Sequence, residues 1–182
     1  NGWASAQTIG LLVGFAVLMA AFVFIEWRSK NPLMPLGIFK IRTVAGANVV
    51  GLLLGGALFS MFFLLTLYVQ QVLQYSAIKT GITFLATAGT AIIWAGVAQA
   101  LTTRFGPRGI MTAGMVILAL SVLGYTRLPV DGHYWPDLLP LYLTFAVGMV
   151  FAFVPVSIAN FIGVPAHWAG LASGLMNMTQ QI

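Results

Sequence analysis

The sequence predicts an all-α integral membrane protein with about six transmembrane helices, and three observations lead there. Hydrophobic residues make up 60% of the 182 and charged residues only 6%, whereas soluble domains carry roughly a quarter charged. Mean hydropathy is +0.98. Apolar runs of about 20 residues, enough to cross about 30 Å of hydrocarbon, recur between short polar connections. The net charge of +5 comes from residues gathered in those connections, a pattern of membrane topology rather than of nucleic-acid binding. Cysteine is absent, which excludes disulfides.

Six helical segments follow in order. The first covers about Gln7 to Ile25 and runs into "EWRSKNPLMPLGIFKIR". The second, about Thr43 to Leu73, is a charge-free run long enough that it must tilt or protrude. The third spans about Ala77 to Thr103, with Ser76 placed to cap it. The fourth runs from Pro107 to Thr126 and the fifth from Pro136 to Ile162. Both prolines suit a first helical position, where the missing N–H costs nothing. The sixth starts at His167 and has 16 residues, about 24 Å at 1.5 Å each, too short for a span. With Asn1 rather than methionine in front, the chain reads as an internal piece of a longer protein.

Basic residues set the orientation. Arg28, Lys30, Lys40, Arg42, Arg104 and Arg108 fall on one side, Lys79 and Arg127 on the other. The richer side is cytoplasmic by the positive-inside rule, and Asp131, His133 and Asp137 lie outside. Trp27 and Trp168 then sit at the inner interface, with Trp3, Tyr134 and Trp135 at the outer one. The turn "RFGPR" is cytoplasmic. Its Arg104 complements the negative end of the third helix, whereas Arg108 lies at a helix start, where the dipole field opposes a cation. Arg108 therefore calls for an anion, from lipid phosphate or a carboxylate.

Polar residues inside spans are costly and turn toward a cavity or another helix. At 100° per residue they form stripes on four helices: Asn48, Phe59, Phe63, Thr66 and Gln70 on the second; Thr83, Thr87, Thr90 and Trp94 on the third; Tyr142, Met149, Phe153 and Asn160 on the fifth, which Pro155 should bend; and Ser173, Asn177 and Gln180 on the sixth. The first helix has almost nothing polar after Thr8. The fourth has Thr112 and Ser121 on opposite faces. Four helices are thus expected to line a substrate cavity and two to be peripheral, the competing account of each stripe being polar glue between helices. "GLLVG" at 10–14, "GLLLG" at 51–55 and "GLASG" at 170–174 have the spacing of close helix packing. No Asp, Glu or Lys is expected within any span, so a proton carrier would have to lie elsewhere in the protein. Nothing calls for a metal or a cofactor.

The turn "QALTTRFGPRGIMTAG" resembles the loop repeated in each half of major facilitator superfamily transporters. "EWRSKNPLMPLGIFKIRT" is similar to the connector before the second half in the fourteen-helix multidrug/proton antiporter branch, and "LYVQQVLQYSAIKTGITFLATA" and "GLASGLMNMTQQI" to segments of that half. The resemblance implies an inserted peripheral transmembrane helix at 1–26, a cytoplasmic connector at 27–42 and a C-terminal half at 43–182 with its last helix truncated. It also implies a gating role for Arg104, Gly106 and Arg108, although where the family loop carries an acid this chain has Thr103. The implied function is secondary active, proton-coupled efflux of drug-like amphipathic compounds across the inner (plasma) membrane. The partners would be a hydrophobic substrate, lipid, and protons handled by the absent N-terminal half.

Alternatives are a uniporter or importer of a small metabolite and a membrane scaffold without transport. An intramembrane serine protease at Ser173 is disfavoured, because Leu171 stands where its glycine is expected and no histidine lies at membrane depth. The charge asymmetry is directly testable. Cysteines placed at Ser29 and Gly132 of the full-length protein should react with an impermeant maleimide from opposite sides, and labelling of both on intact cells would overturn the orientation.

Overall fold

Residues 5–29 and 36–181 are described by a computed structural model, and they are helical with no strand among them. Five of the helices are long and apolar enough to cross a membrane. The chain divides into two compact units, 1–42 and 43–182. Trp3 and Lys30 lie outside the described residues.

The first unit is built on α1 (Ala6–Arg28). The Ser5 side chain caps it by accepting from the Thr8 N–H at 3.2 Å, satisfying one of the donors a helix start leaves open. Its flanks, among them Leu11, Phe15 and Leu18, are exposed, as an all-apolar helix in lipid should be. α1 runs a turn further than the composition suggested, and this corrects one expectation. Glu26 is inside the helix and buried, so the span does hold a carboxylate, and its side chain is engaged rather than free. Lys79 and Asp137 likewise fall within the first turns of membrane-length helical segments, Ala77–Phe105 and Tyr134–Ala159. A short 3-10 turn, Leu36–Lys40, follows.

The second unit holds α2 (Arg42–Leu67), α3 (Ala77–Phe105), α4 (Pro107–Tyr125), α5 (Leu139–Ala159) and α6 (Ala169–Gln181). α2 continues into a wide turn, Tyr68–Val72, closed by the Leu73 N–H donating to the Tyr68 carbonyl at 3.1 Å. Ser76 caps α3 by accepting from the Lys79 N–H, and the Lys79 ammonium sits 3.5 Å over the Tyr75 ring. That contact offsets the unfavourable placing of a cation at a helix start.

The fifth helix differs from its expected bounds at both ends. Pro136 falls inside another wide turn, Tyr134–Leu138, shaped by the His133 N–H donating to the Asp137 carboxylate at 2.7 Å. Regular helix begins at Leu139, with Pro140 in its first turn. It ends at Ala159 because the Asn160 side chain bonds to neighbouring helices (below), and Gly163, at φ +81°, turns the chain away.

α5 is the centre of the unit, packed on α4 along one flank and on α3 along another. Contact with α4 is backbone against backbone. A Cβ at Gly114 would stand 2.3 Å from the Phe151 carbonyl carbon, and one at Gly148 2.7 Å from the Leu118 nitrogen. The Phe151 carbonyl is the one that Pro155, lacking an N–H, leaves without its helical donor, so α4 presses onto the weak point of α5. "GLLLG" takes α6 against it, with Gly55 facing the Gln180 backbone and Gly51 its side chain. Gly10, Gly14, Gly170 and Gly174 have nothing within 4 Å. Gly114→Ala should destabilise the full-length protein by about 1–3 kcal/mol, the usual cost of overpacking. Gly89→Ala, where the added methyl meets open space, should stay within about 0.5 kcal/mol; denaturant unfolding of the two variants checks this.

Candidate functional site

The expected cavity residues are not gathered in one place. At one end of the second unit α2 starts, α5 ends and α6 starts, and a polar cluster joins them. The Asn48 amide donates to the Asn160 side-chain oxygen at 3.1 Å and to the Val44 carbonyl at 2.9 Å. The Asn160 amide donates to the Ala172 carbonyl at 2.7 Å, and the Thr179 hydroxyl to the Asn48 side-chain oxygen at 3.1 Å. Thr43 adds a bond to the Ile162 carbonyl at 2.7 Å. Asn48 and Asn160 are buried. They act as glue between three helices, which is where polar side chains in lipid find partners. Asn177 is exposed and its amide returns to the Ser173 carbonyl of its own helix.

Toward the other end, α2, α3, α4 and α5 line a half-open cavity of about 310 Å³. It is lined by Leu58, Phe62 and Leu65 of α2, Phe84, Thr87, Ala88 and Ala91 of α3, Tyr125 of α4, and Tyr142, Phe145 and Met149 of α5. Its rings form a continuous run. Phe62 stacks on Phe84 at 4.5 Å between centroids and Phe84 on Tyr142 at 5.3 Å; Tyr125 then meets Tyr142 at 6.4 Å and Phe145 at 6.1 Å. No charged side chain lines it.

Of the expected residues the cavity contains Thr87, Tyr142 and Met149. Thr90 bonds back to the Ala86 carbonyl and Thr66 to the Phe62 carbonyl. Trp94 leans on Phe151 at 5.9 Å. Phe59, Phe63, Gln70 and Phe153 are exposed on the unit's surface. Phe62, Phe84, Tyr125 and Phe145 were not singled out. Their signal was apolar periodicity, since 58, 62 and 65 fall on one helical face, as do 84, 87, 88 and 91. Phe59 and Phe63, each one residue on, lie roughly 100° around α2 from that face. α4 is less peripheral than its composition implies, since Tyr125 brings a hydroxyl to the cavity.

In "RFGPR", Gly106 takes φ +84° and ends α3 while starting α4, a conformation L side chains avoid. Its N–H donates to the Thr102 carbonyl at 2.9 Å. Arg104 and Arg108 are exposed, with the Arg104 guanidinium 5.3 Å from the Phe105 ring centre. Neither makes an ion pair among the described residues. Thr103, where the family carries an acid, bonds back to the Gln99 and Ala100 carbonyls.

The profile of the Major Facilitator Superfamily matches residues 2–182. The tetracenomycin C resistance and export protein of Streptomyces glaucescens is 31% identical over the whole of this chain and 34% of its own length. The puromycin resistance protein pur8 of Streptomyces alboniger is 31% identical over the whole chain and 37% of its own. The multidrug resistance protein Stp of Mycobacterium tuberculosis is 32% identical over the whole chain and 33% of its own. The chain thus spans about a third of the length of these relatives.

The asparagine cluster makes a quantitative prediction. Asn48→Ala and Asn160→Ala should each cost the full-length protein about 1–2 kcal/mol. The double variant should cost clearly less than their sum, because each single change already breaks the shared bond. Strict additivity in an unfolding cycle would show that the two do not act as a pair.

Proposed function

The chain belongs to the major facilitator superfamily and is multi-pass in the membrane, and from that premise we propose that it forms part of a secondary active exporter of amphipathic, drug-like compounds driven by proton exchange at the inner (plasma) membrane. The observation that carries the reading is the uncharged, aromatic cavity of α2, α3, α4 and α5, which suits a passenger recognised by ring contacts and few polar groups. The printed roles of the relatives, export of tetracenomycin C and resistance to puromycin or to several drugs, point the same way.

On this reading residues 1–26 are an inserted helix, 27–42 a cytoplasmic connector and 43–182 most of one transporter half. The exposed Phe59, Phe63, Gln70, Phe153 and Asn177 face the rest of the protein across the transport path, with Thr66, Thr90 and Trp94 beside them. Asn48 and Asn160 hold the helices that carry them. Arg104, Gly106 and Arg108 form a gating turn, in which Gly106 fixes the geometry and Arg108 clamps an anionic group on another segment as the protein alternates.

Inside-out vesicles containing the full-length protein, with an acid lumen, should accumulate a fluorescent amphipathic dye and lose it when nigericin collapses the gradient. Accumulation that survives nigericin would exclude proton exchange. In the same assay Arg108→Lys should slow uptake severalfold at normal insertion, because lysine lacks the planar bidentate fork, while Arg104→Lys stays close to the parent. Phe63→Ala and Phe153→Ala should change which dyes are carried. Leu120→Ala, on an exposed face of α4, should leave the selection of dyes unchanged.

A further inference from the structure

Two classes of tyrosine occur in the second unit. At the outer rim the hydroxyls are paired: Tyr68 donates to the Pro129 carbonyl at 2.6 Å and Tyr134 to the Thr83 carbonyl at 3.2 Å. Deeper in, Tyr125 and Tyr142 line the aromatic cavity, are 9% and 1% exposed, and have no hydrogen-bond partner for either hydroxyl. Ser121 stands close enough to the Tyr125 hydroxyl, and Thr83 to the Tyr142 hydroxyl, for a weak interaction, short of a well-formed hydrogen bond. A buried hydroxyl left unpaired is costly and native structures avoid it. Two on one cavity, in a bundle that pairs the Tyr68 and Tyr134 hydroxyls, mark polar positions that an occupant completes.

From this we infer that the cavity within the second unit is a binding site for an uncharged aromatic molecule carrying a hydrogen-bond acceptor, such as an aryl ketone, with Tyr125 and Tyr142 donating to the acceptor and the Phe62, Phe84 and Phe145 rings packing its faces. The volume of about 310 Å³ is at the lower end of small-molecule sites and takes two or three rings. A lipid tail would fill the space and leave both hydroxyls unpaired. A cation would meet ring faces but no carboxylate, and burying it there without a counter-charge is costly. The inference deepens the export reading and rests on it only for the ligand's being a passenger; occupancy is measured without transport.

The test is photolabelling of the full-length protein in nanodiscs with benzophenone, an aryl ketone that inserts into nearby C–H bonds, followed by peptide mapping. Adducts are expected at Met149 and between Ala88 and Ala91. Fluorenone should suppress them at about one-tenth the concentration of fluorene, the same ring system without the carbonyl, the ratio expected of one well-made hydrogen bond. In the combined Tyr125→Phe, Tyr142→Phe variant, which keeps both rings and removes only the unpaired oxygens, that ratio should fall to about one. Equal competition by fluorene in the parent, a ratio that persists in the variant, or stronger competition by N-methylacridinium than by fluorenone would each overturn the inference. Dye transport without carbonyl preference would sink this site and spare the export reading; carbonyl-selective labelling without transport would do the reverse.

Discussion

The second unit depends on α4 and α5 meeting backbone to backbone. In lipid the tails are as apolar as the side chains, so helices gain nothing from hiding leucines and must be held by close packing and hydrogen bonds. Gly114 and Gly148 allow that approach, and the Ser121 hydroxyl donates to the Leu141 carbonyl at 3.2 Å across it. With α4 and α3 both seated on α5, the Pro155 break is buried rather than bathed in hydrocarbon. A helix that lacks one internal bond persists in a bilayer when its neighbours cover the gap. The same seating carries Tyr125 to the rim of the aromatic cavity.

The two ends of the unit are held by different chemistry. At one end Asn48, Asn160 and Thr179 tie α2, α5 and α6 through directional bonds, which tolerate little displacement before they fail. At the other, ring contacts surround a cavity, and stacked rings slide at small cost compared with breaking a buried amide pair. A unit built this way resists displacement at its polar end and tolerates it at its aromatic end.

The helices, their order and the tight turn at "RFGPR" were legible in the sequence because hydropathy and prolines report directly on where the chain runs as helix and where it reverses. The cavity was only partly legible. Choosing faces by their polar members selected Asn48 and Asn160, yet a polar residue in a span satisfies itself as readily on a neighbouring helix as in a cavity, and only the packing shows which. The same choice led to Phe59 and Phe63 on the unit's surface, while the aromatic cavity takes Phe62, about 100° from Phe63 around the helix. Thr87, Tyr142 and Met149 lie at the aromatic cavity because on α3 and α5 the polar stripe overlaps the face turned toward it. Glu26 was missed because a charged residue beside a connector looks like the end of a span, whereas α1 carries on past it to Arg28.

The turn "RFGPR" shows why charge count and geometry have to be read together. Two helices reverse there over a single residue, and Gly106 reaches φ +84° where a side chain would be strained. With the turn fixed, the two arginines are set by their helices. Arg104 at the end of α3 has the dipole in its favour and a ring beside it; Arg108 in the first turn of α4 has the dipole against it and no ion pair among the described residues. A topology signal needs only the charges, and lysines in a longer, looser loop would supply them. A rigid reversal that holds one guanidinium in an unfavourable field is instead suited to presenting that group to an anion from outside the turn, whose binding relieves the misplacement. The acid that the family places next to the first arginine is Thr103 here, and its hydroxyl is turned back onto its own helix, so the turn itself supplies no carboxylate to either arginine.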